Sequence, residues 1–203
     1  MNRLLRTVLG DCRAASAAEF GLVLPLLLLL LFGIIDMGRF FWTLNTSEKA
    51  TQIGARMAIV TTPVSPDLVS KSYVNGTVTK AGDLIPASAL GIFRCTNTGC
   101  TCPTPPCPVA NGSVNSTAFN VIVSRMAQIS PRIGADNVVI EYSGSGLGYA
   151  GPADGTMDVQ PLVTVSVQNE TFNFISLLGL ADITLPPARA TLTAEDSAGS
   201  FSN

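Results

Sequence analysis

The chain has 203 residues, 47% of them hydrophobic and 13% charged, with a net charge of −2 and a mean hydropathy of +0.40, room for one or two small domains. That balance lacks the basic excess a nucleic-acid partner requires, and the absence of His removes the usual general base, the Ser-His-Asp triad and the commonest zinc ligand. An enzyme would have to work with carboxylates, Lys or Cys, and no nucleophile–base pair or cofactor motif stands out, so the expectation is a non-enzymatic chain with no cofactor.

Residues 1–13 are short and basic, with Arg3, Arg6 and Arg13 against Asp11. Residues 20–35, FGLVLPLLLLLLFGII, carry no charge and only one Pro and two Gly. Basic residues beside an apolar run stay on the cytoplasmic side, which exports whatever follows. A secretory signal peptide would be cut after its apolar part at a small-x-small site. The residues after the run, DMGRFFWTLN, offer none, and the small residues Ala14, Ala15, Ser16, Ala17 and Ala18 come before it. The run therefore reads as an anchor that stays. The division expected is a leader over 1–14, a transmembrane helix and stalk over 15–60, and an exported domain over 61–203.

Glu19 stands at the lip of the run. An ionised carboxylate carried to mid-bilayer costs roughly 2.5 kcal/mol or more, whereas one near a helix N-terminus is favoured. The spacing adds a second reading. A cut between Ala14 and Ala15 would make Glu19 the fifth residue of the mature chain, one helical turn from a new α-amino group. That amine could pair with the Glu19 carboxylate of its own chain or of a neighbour, removing a buried charge from each.

The stretch RAASAAEFGLVLPL at 13–26, with Glu19, Phe20 and Pro25, and FGIIDMGR at 32–39, with Asp36 and Arg39, resembles the N-terminus of TadE-like proteins. These are pseudopilins or minor pilins of the bacterial tight-adherence (Tad/Flp) pilus system. The resemblance covers roughly residues 13–60. It implies a structural subunit acting in pilus biogenesis and surface adhesion, in which Glu19, Phe20 and Pro25 serve assembly. It implies the lipid bilayer, other pilin-like subunits and Tad assembly proteins as partners, with prepilin peptidase added if the leader is processed. The family's peptidase cuts after a Gly five positions before the Glu; this chain has Ala14 there. A cleaved subunit and a permanent anchor both fit. The implied location is the bacterial inner membrane, N-terminus cytoplasmic and C-terminal domain periplasmic, or an extracellular pilus. The alternative is a membrane-anchored periplasmic binding module outside any fibre.

About 24 residues, 14–37, make roughly 36 Å of helix, enough to cross a hydrocarbon core of about 30 Å. Pro25 removes one backbone donor and loosens the helix there. Asp36 and Arg39, three apart, can pair across one helix face. Phe40, Phe41 and Trp42 follow as an aromatic belt would. Residues 43–60 continue the helix, and Ser47, Ala50, Gly54 and Ala58 form a stripe of small residues. Such a stripe lets another backbone come close, from a copy of this chain or from its own exported domain. Pro63 and Pro66 end the helix.

Beyond it, 69–79 reads as a strand or two short pieces, and 83–93 as a turn and a short helix. Cys95, Cys100, Cys102 and Cys107 lie in a Thr- and Pro-rich loop over 95–107, with gaps of four, one and four residues. Zinc sites typically bring at least one C-x₂₋₄-C pair, and here the outer gaps hold four residues and the centre only one; between a four-Cys metal site and two disulfides in an oxidising compartment, the disulfides are the favoured reading, with connectivity open. Residues 115–129 form a helix with Phe119, Ile122, Val123 and Met126 on one face and Asn115 or Ser116 as cap. Residues 137–142 form a strand. The letters Gly146-x-Gly148-x-x-Gly151 match a dinucleotide fingerprint, but Pro152 follows instead of a helix, so they read as a loop. Asp154 and Asp158 do not by themselves make a calcium site. Residues 157–168 form a strand in which Val163, Val165 and Val167 alternate. Residues 171–180 read as a short apolar helix and 183–193 as the last strand. The fold class is α+β: a long N-terminal transmembrane and stalk helix, then a small pilin-like module with an antiparallel sheet and flanking helices.

Overall fold

The structure, a computed structural model, describes residues 12–74, 80–151, 157–176 and 182–194, with side chains from residue 16 onward. One α-helix, α1, runs unbroken from Cys12–Val60 over 49 residues, with Pro25 inside it. It is followed by a one-turn helix α2 (Pro66–Val69), a 3-10 turn at Ala87–Ala89 and the helix α3 (Ser116–Ala127). The strands are β1 (Ile92–Thr96), β2 (Gly99–Thr104), β3 (Asn111–Gly112), β4 (Val138–Ser143), β5 (Leu162–Val167), β6 (Thr171–Asn173), β7 (Asp182–Thr184) and β8 (Ala188–Thr193). Contacts divide the chain into two units. One joins α1 up to Trp42 with Phe172–Ile183; the other holds Thr43–Thr171 and the residues from Thr184 on.

In the larger unit, six strands form one antiparallel sheet in the order β3-β2-β1-β4-β5-β8. The register sorts its faces, because successive side chains point to opposite sides. One row runs Gly112, Cys100, Cys95, Ile140, Val165 and Ala190. Cys95, Ile140 and Val165 in that row are fully buried. The next row runs Thr101, Arg94, Glu141, Thr164 and Thr191. It is tied by an Arg94–Glu141 ion pair at 2.7 Å and a Thr164–Thr191 hydroxyl contact at 2.8 Å. Such an exposed pair fixes register more than it adds stability.

The buried face is covered by α3 and by the second part of α1. α3 starts where Asn115 accepts a hydrogen bond from the Ala118 N–H, and it buries Phe119, Ile122, Val123 and Met126 as its periodicity predicts. Ser47, Ala50, Gly54 and Ala58 of α1 are all buried. At Gly54 the helix comes so close that a Cβ would stand 2.6 Å from Met126 Sδ and 3.2 Å from Val165 Cγ1. The small-residue stripe thus packs on the chain's own domain, one of its two expected partners. The helix ends at Val60, before Pro63, and the next segment stays inside: Val64 is fully buried and its N–H donates to the Tyr142 hydroxyl at 3.0 Å.

Several expectations are corrected. Residues 171–173 are strand, not the start of a helix, and 177–180 of the expected 171–180 helix lie outside the described residues. The single strand expected over 183–193 is two, β7 and β8, parted by Leu185, Pro186 and Pro187; prolines cannot donate to a ladder. Residues 95–107 are not a free loop: most of the first ten belong to β1 and β2, which turn at Asn97 and Thr98. The short helix expected within 83–93 is a 3-10 turn that runs into β1. No strand of 69–79 is found among its described residues, and Val69 instead closes α2, capped at its start by the Ser65 hydroxyl.

Candidate membrane-anchor and assembly site

From Ser16 to Phe32 every residue of α1 is exposed, Phe20, Leu22 and Leu26 among the barest at 65, 81 and 70%. Apolar side chains of that size and number, bare of protein, are not a soluble helix face. Length and composition make this part of α1 able to cross a membrane. Pro25 lies inside the exposed stretch. Glu19 is exposed on the same stretch and has no hydrogen-bond or ion-pair partner among the described residues. Ala14 and Ala15 fall in the first turn of α1, and their side chains lie outside the described residues.

Among the described residues of α1 the first to be buried is Asp36, 2% exposed, although Met37, Phe41 and Trp42 beyond it are exposed. Its carboxylate accepts three hydrogen bonds: from Arg39 Nη1 at 2.8 Å, from the Ile175 N–H at 3.0 Å and from the Ser176 N–H at 2.7 Å. The sequence suggests only the first. Asp36 is therefore more than half of a local ion pair: it captures the backbone of a turn some 140 residues away in the chain. Arg39 also reaches the Asn173 carbonyl at 3.5 Å and lies 5.2 Å from the centre of the Phe172 ring. Phe172 packs edge-on against Phe40 and Phe174, with centroids 5.5 and 5.2 Å apart. β6 and β7 pair with each other, and Asn173 Nδ2 donates to Asp182 Oδ1 at 2.7 Å. One signal for this hairpin was present: Phe172 is buried between exposed Thr171 and Asn173, the period of a strand. The apolar residues that follow mask it.

A second buried carboxylate lies in the larger unit. Glu170 accepts from the Ser47 hydroxyl at 2.5 Å, and its other oxygen is buried without a hydrogen-bond partner. Nothing in the sequence around Glu170 marks it.

The four clustered cysteines form two disulfides, Cys95–Cys100 and Cys102–Cys107, each closing a separation of five residues. The first faces the core, its two cysteines 0 and 2% exposed; the second is partly exposed. The glycine-rich loop serves the backbone. Gly146 and Gly148 have φ of 80° and 110°, and a Cβ at Gly148 would stand 2.9 Å from Val159 Cα. Gly151 sits against Asp158, whose carboxylate accepts the Tyr73 N–H at 3.1 Å. Asp154 lies outside the described residues. Burial, and then the Asp158 charge, push the Tyr73 hydroxyl up to about 12; burial also raises Tyr142, partly opposed by its bond to Val64 N–H.

Residues 14–56 match the family model described as TadE-like protein, 43 of the chain's 203 residues. The match begins at the candidate cut, takes in the whole exposed apolar run and Asp36, and ends two residues past Gly54. It agrees with the resemblance carried by Glu19, Phe20, Pro25 and the Asp36–Arg39 exit. No curated protein and no solved structure shows significant similarity to the chain.

Proposed function

We propose that this chain is a structural, single-pass subunit of a bacterial Tad pilus system, anchored in the inner membrane by the first part of α1. The leader is cytoplasmic, as its arginines favour, and residues from 61 on are periplasmic, a compartment in which two disulfides persist. The protein works by packing rather than catalysis. Its apolar helix associates side by side with those of other pilin-like subunits, and Glu19 sets the register by pairing with a terminal amine exposed by a prepilin-peptidase cut at Ala14 and Ala15. Pilus biogenesis and surface adhesion are the processes it serves.

The observation that carries this reading is an overlap between the family match at 14–56 and the bare apolar part of α1. The TadE-like match spans an α1 whose first part is bare and apolar and whose second part is covered. A bare apolar rod with one acid at its lip suits a bilayer first and neighbouring helices second. The test is Glu19→Ala in the native host. Membrane insertion should persist while incorporation into pili, read by immunoblot of sheared fibres, is lost. Wild-type levels of the variant in fibres would contradict the role given to Glu19.

A further inference from the structure

We propose that the β6–β7 hairpin is a second membrane contact, lying in the interfacial layer of the bilayer beside the point where α1 leaves it. The proposal rests on the reading of α1 as the anchor and adds to it.

Asp36 is the first charged residue after the apolar run, and so marks the edge of the hydrocarbon layer along α1. The turn after β6 is fastened to that very residue by the N–H groups of Ile175 and Ser176. The hairpin is therefore held at the depth at which the helix meets the headgroups. Two of its backbone N–H groups, of Ile175 and Ser176, are already bonded to that carboxylate, as non-helical chain that approaches lipid requires.

The side chains around this point face outward. Ile175 is 45% exposed and Ile183 39%, although an isolated hairpin would be expected to turn such residues onto its support. Beside them on α1, Met37, Phe41 and Trp42 are 54, 53 and 71% exposed. Aromatic and aliphatic groups gathered at one depth form the belt that settles at a membrane–water boundary. Beneath, Phe40, Phe172 and Phe174 make an edge-to-face stack that braces the hairpin on the helix. The Arg39 guanidinium over Phe172 has a stem able to keep its charge among headgroups while the aromatic ring stays below. Lipid is the chosen occupant because the exposed apolar side chains of α1 do not stop at Asp36 but resume in Met37, Phe41 and Trp42, beside the turn that Asp36 holds.

The chain contains one Trp, which makes the test direct. In Trp42→Phe the full-length protein, reconstituted in bilayers, receives a single reporter by Ile175→Trp or Leu28→Trp. Bilayers carrying bromine at shallow or deep acyl positions then quench each reporter by depth. The proposal expects the reporter at 175 to be blue-shifted and to lose most of its emission to shallow bromolipid. The reporter at 28 should be quenched by deep bromolipid. A reporter at 175 left unquenched while that at 28 is quenched overturns the proposal and leaves the anchor standing. A blue-shifted but unquenched reporter at 175 means that protein covers the hairpin, and also overturns it. If the reporter at 28 is unquenched too, the anchor reading itself fails.

Discussion

Two parts of one helix use the same backbone for opposite purposes. From 16 to 35, α1 shows Leu, Phe, Val and Ile to its surroundings and buries none of them. From 43 to 60 it buries Thr43, Ser47, Ala50, Thr51, Gly54, Ala55 and Ala58, all small, with Met57 the one large exception. Large side chains gain by leaving water for lipid in any rotation about the helix axis. Small ones gain only where another backbone or core comes close, which demands one face and one partner. Apolar character alone does not distinguish the two; side-chain volume does.

The strongest way to break this contrast is to place one charge in each part. Ala50→Arg puts a guanidinium into a fully buried site and should cost about 4 kcal/mol or more, enough to unfold a marginal domain. Thermal melting in detergent would show the loss, while carbonate washing should leave the variant in membranes. Leu28→Arg should do the reverse. It adds about 2.5–3.5 kcal/mol to insertion at the middle of the run, releasing protein on carbonate washing without lowering the melting temperature of the domain. Both variants behaving alike would remove the distinction.

The disulfides sharpen it next, because all four cysteines belong to the domain packed on the second part. Closing so short a loop restricts the unfolded chain by about 2 kcal/mol in the chain-entropy account. Cys95→Ala with Cys100→Ala should cost more than Cys102→Ala with Cys107→Ala, since only the first pair leaves a cavity in the buried face. Denaturant midpoints would rank them, and neither pair should alter membrane retention.

Gly54 gives a graded comparison. Gly54→Val must push aside Met126 and Val165 and should cost about 1–3 kcal/mol. Gly54→Ala recovers about 1 kcal/mol of helix propensity, and Met126 is flexible enough to yield, so its midpoint should scarcely move. Gly33, with open space around it, should accept either residue without change in the domain's stability.

The smallest effect at neutral pH is the alkaline one. Tyr73 ionises near 10 when unfolded and near 12 in the fold, so the unfolded chain gives up its proton first. Stability is full below pH 10 and falls as pH rises from 10 towards 12, and Tyr142, raised in the same direction, prolongs the loss. Tyr73→Phe should flatten the first part of that fall in a melting series. The apolar part of α1 has no tyrosine, so membrane retention should stay constant over the same range.

Much of this was legible in order of appearance. The run at 20–35, the continuation of α1 to Val60, the buried face of α3, and the alternation of Val163, Val165 and Val167 all follow from local periodicity and the chain's breakers. The partner of the stripe at Ser47, Ala50, Gly54 and Ala58 did not: spacing states that a backbone comes near, not whose. The hairpin was missed for a similar reason. Three residues of alternation at Thr171, Phe172 and Asn173 are too few to outweigh the apolar letters after them, and what fixes the turn is Asp36, far away in sequence. Glu170 is invisible locally because its partner, Ser47, looks like any other small residue of a helix. For the cysteines, spacing alone could not pair them; the cross-strand register joins Cys95 to Cys100 and leaves Cys102 for Cys107.

The central claim is that residues 20–35 remain part of the working protein and lie in a membrane, as residues 43–60 do not. Intact mass and N-terminal sequencing of the native protein from fractionated cells test it most directly. The account predicts a membrane- or fibre-bound polypeptide starting at Ala15 or at Met1, with the whole apolar run retained. A freely soluble periplasmic product beginning beyond Trp42 would contradict it.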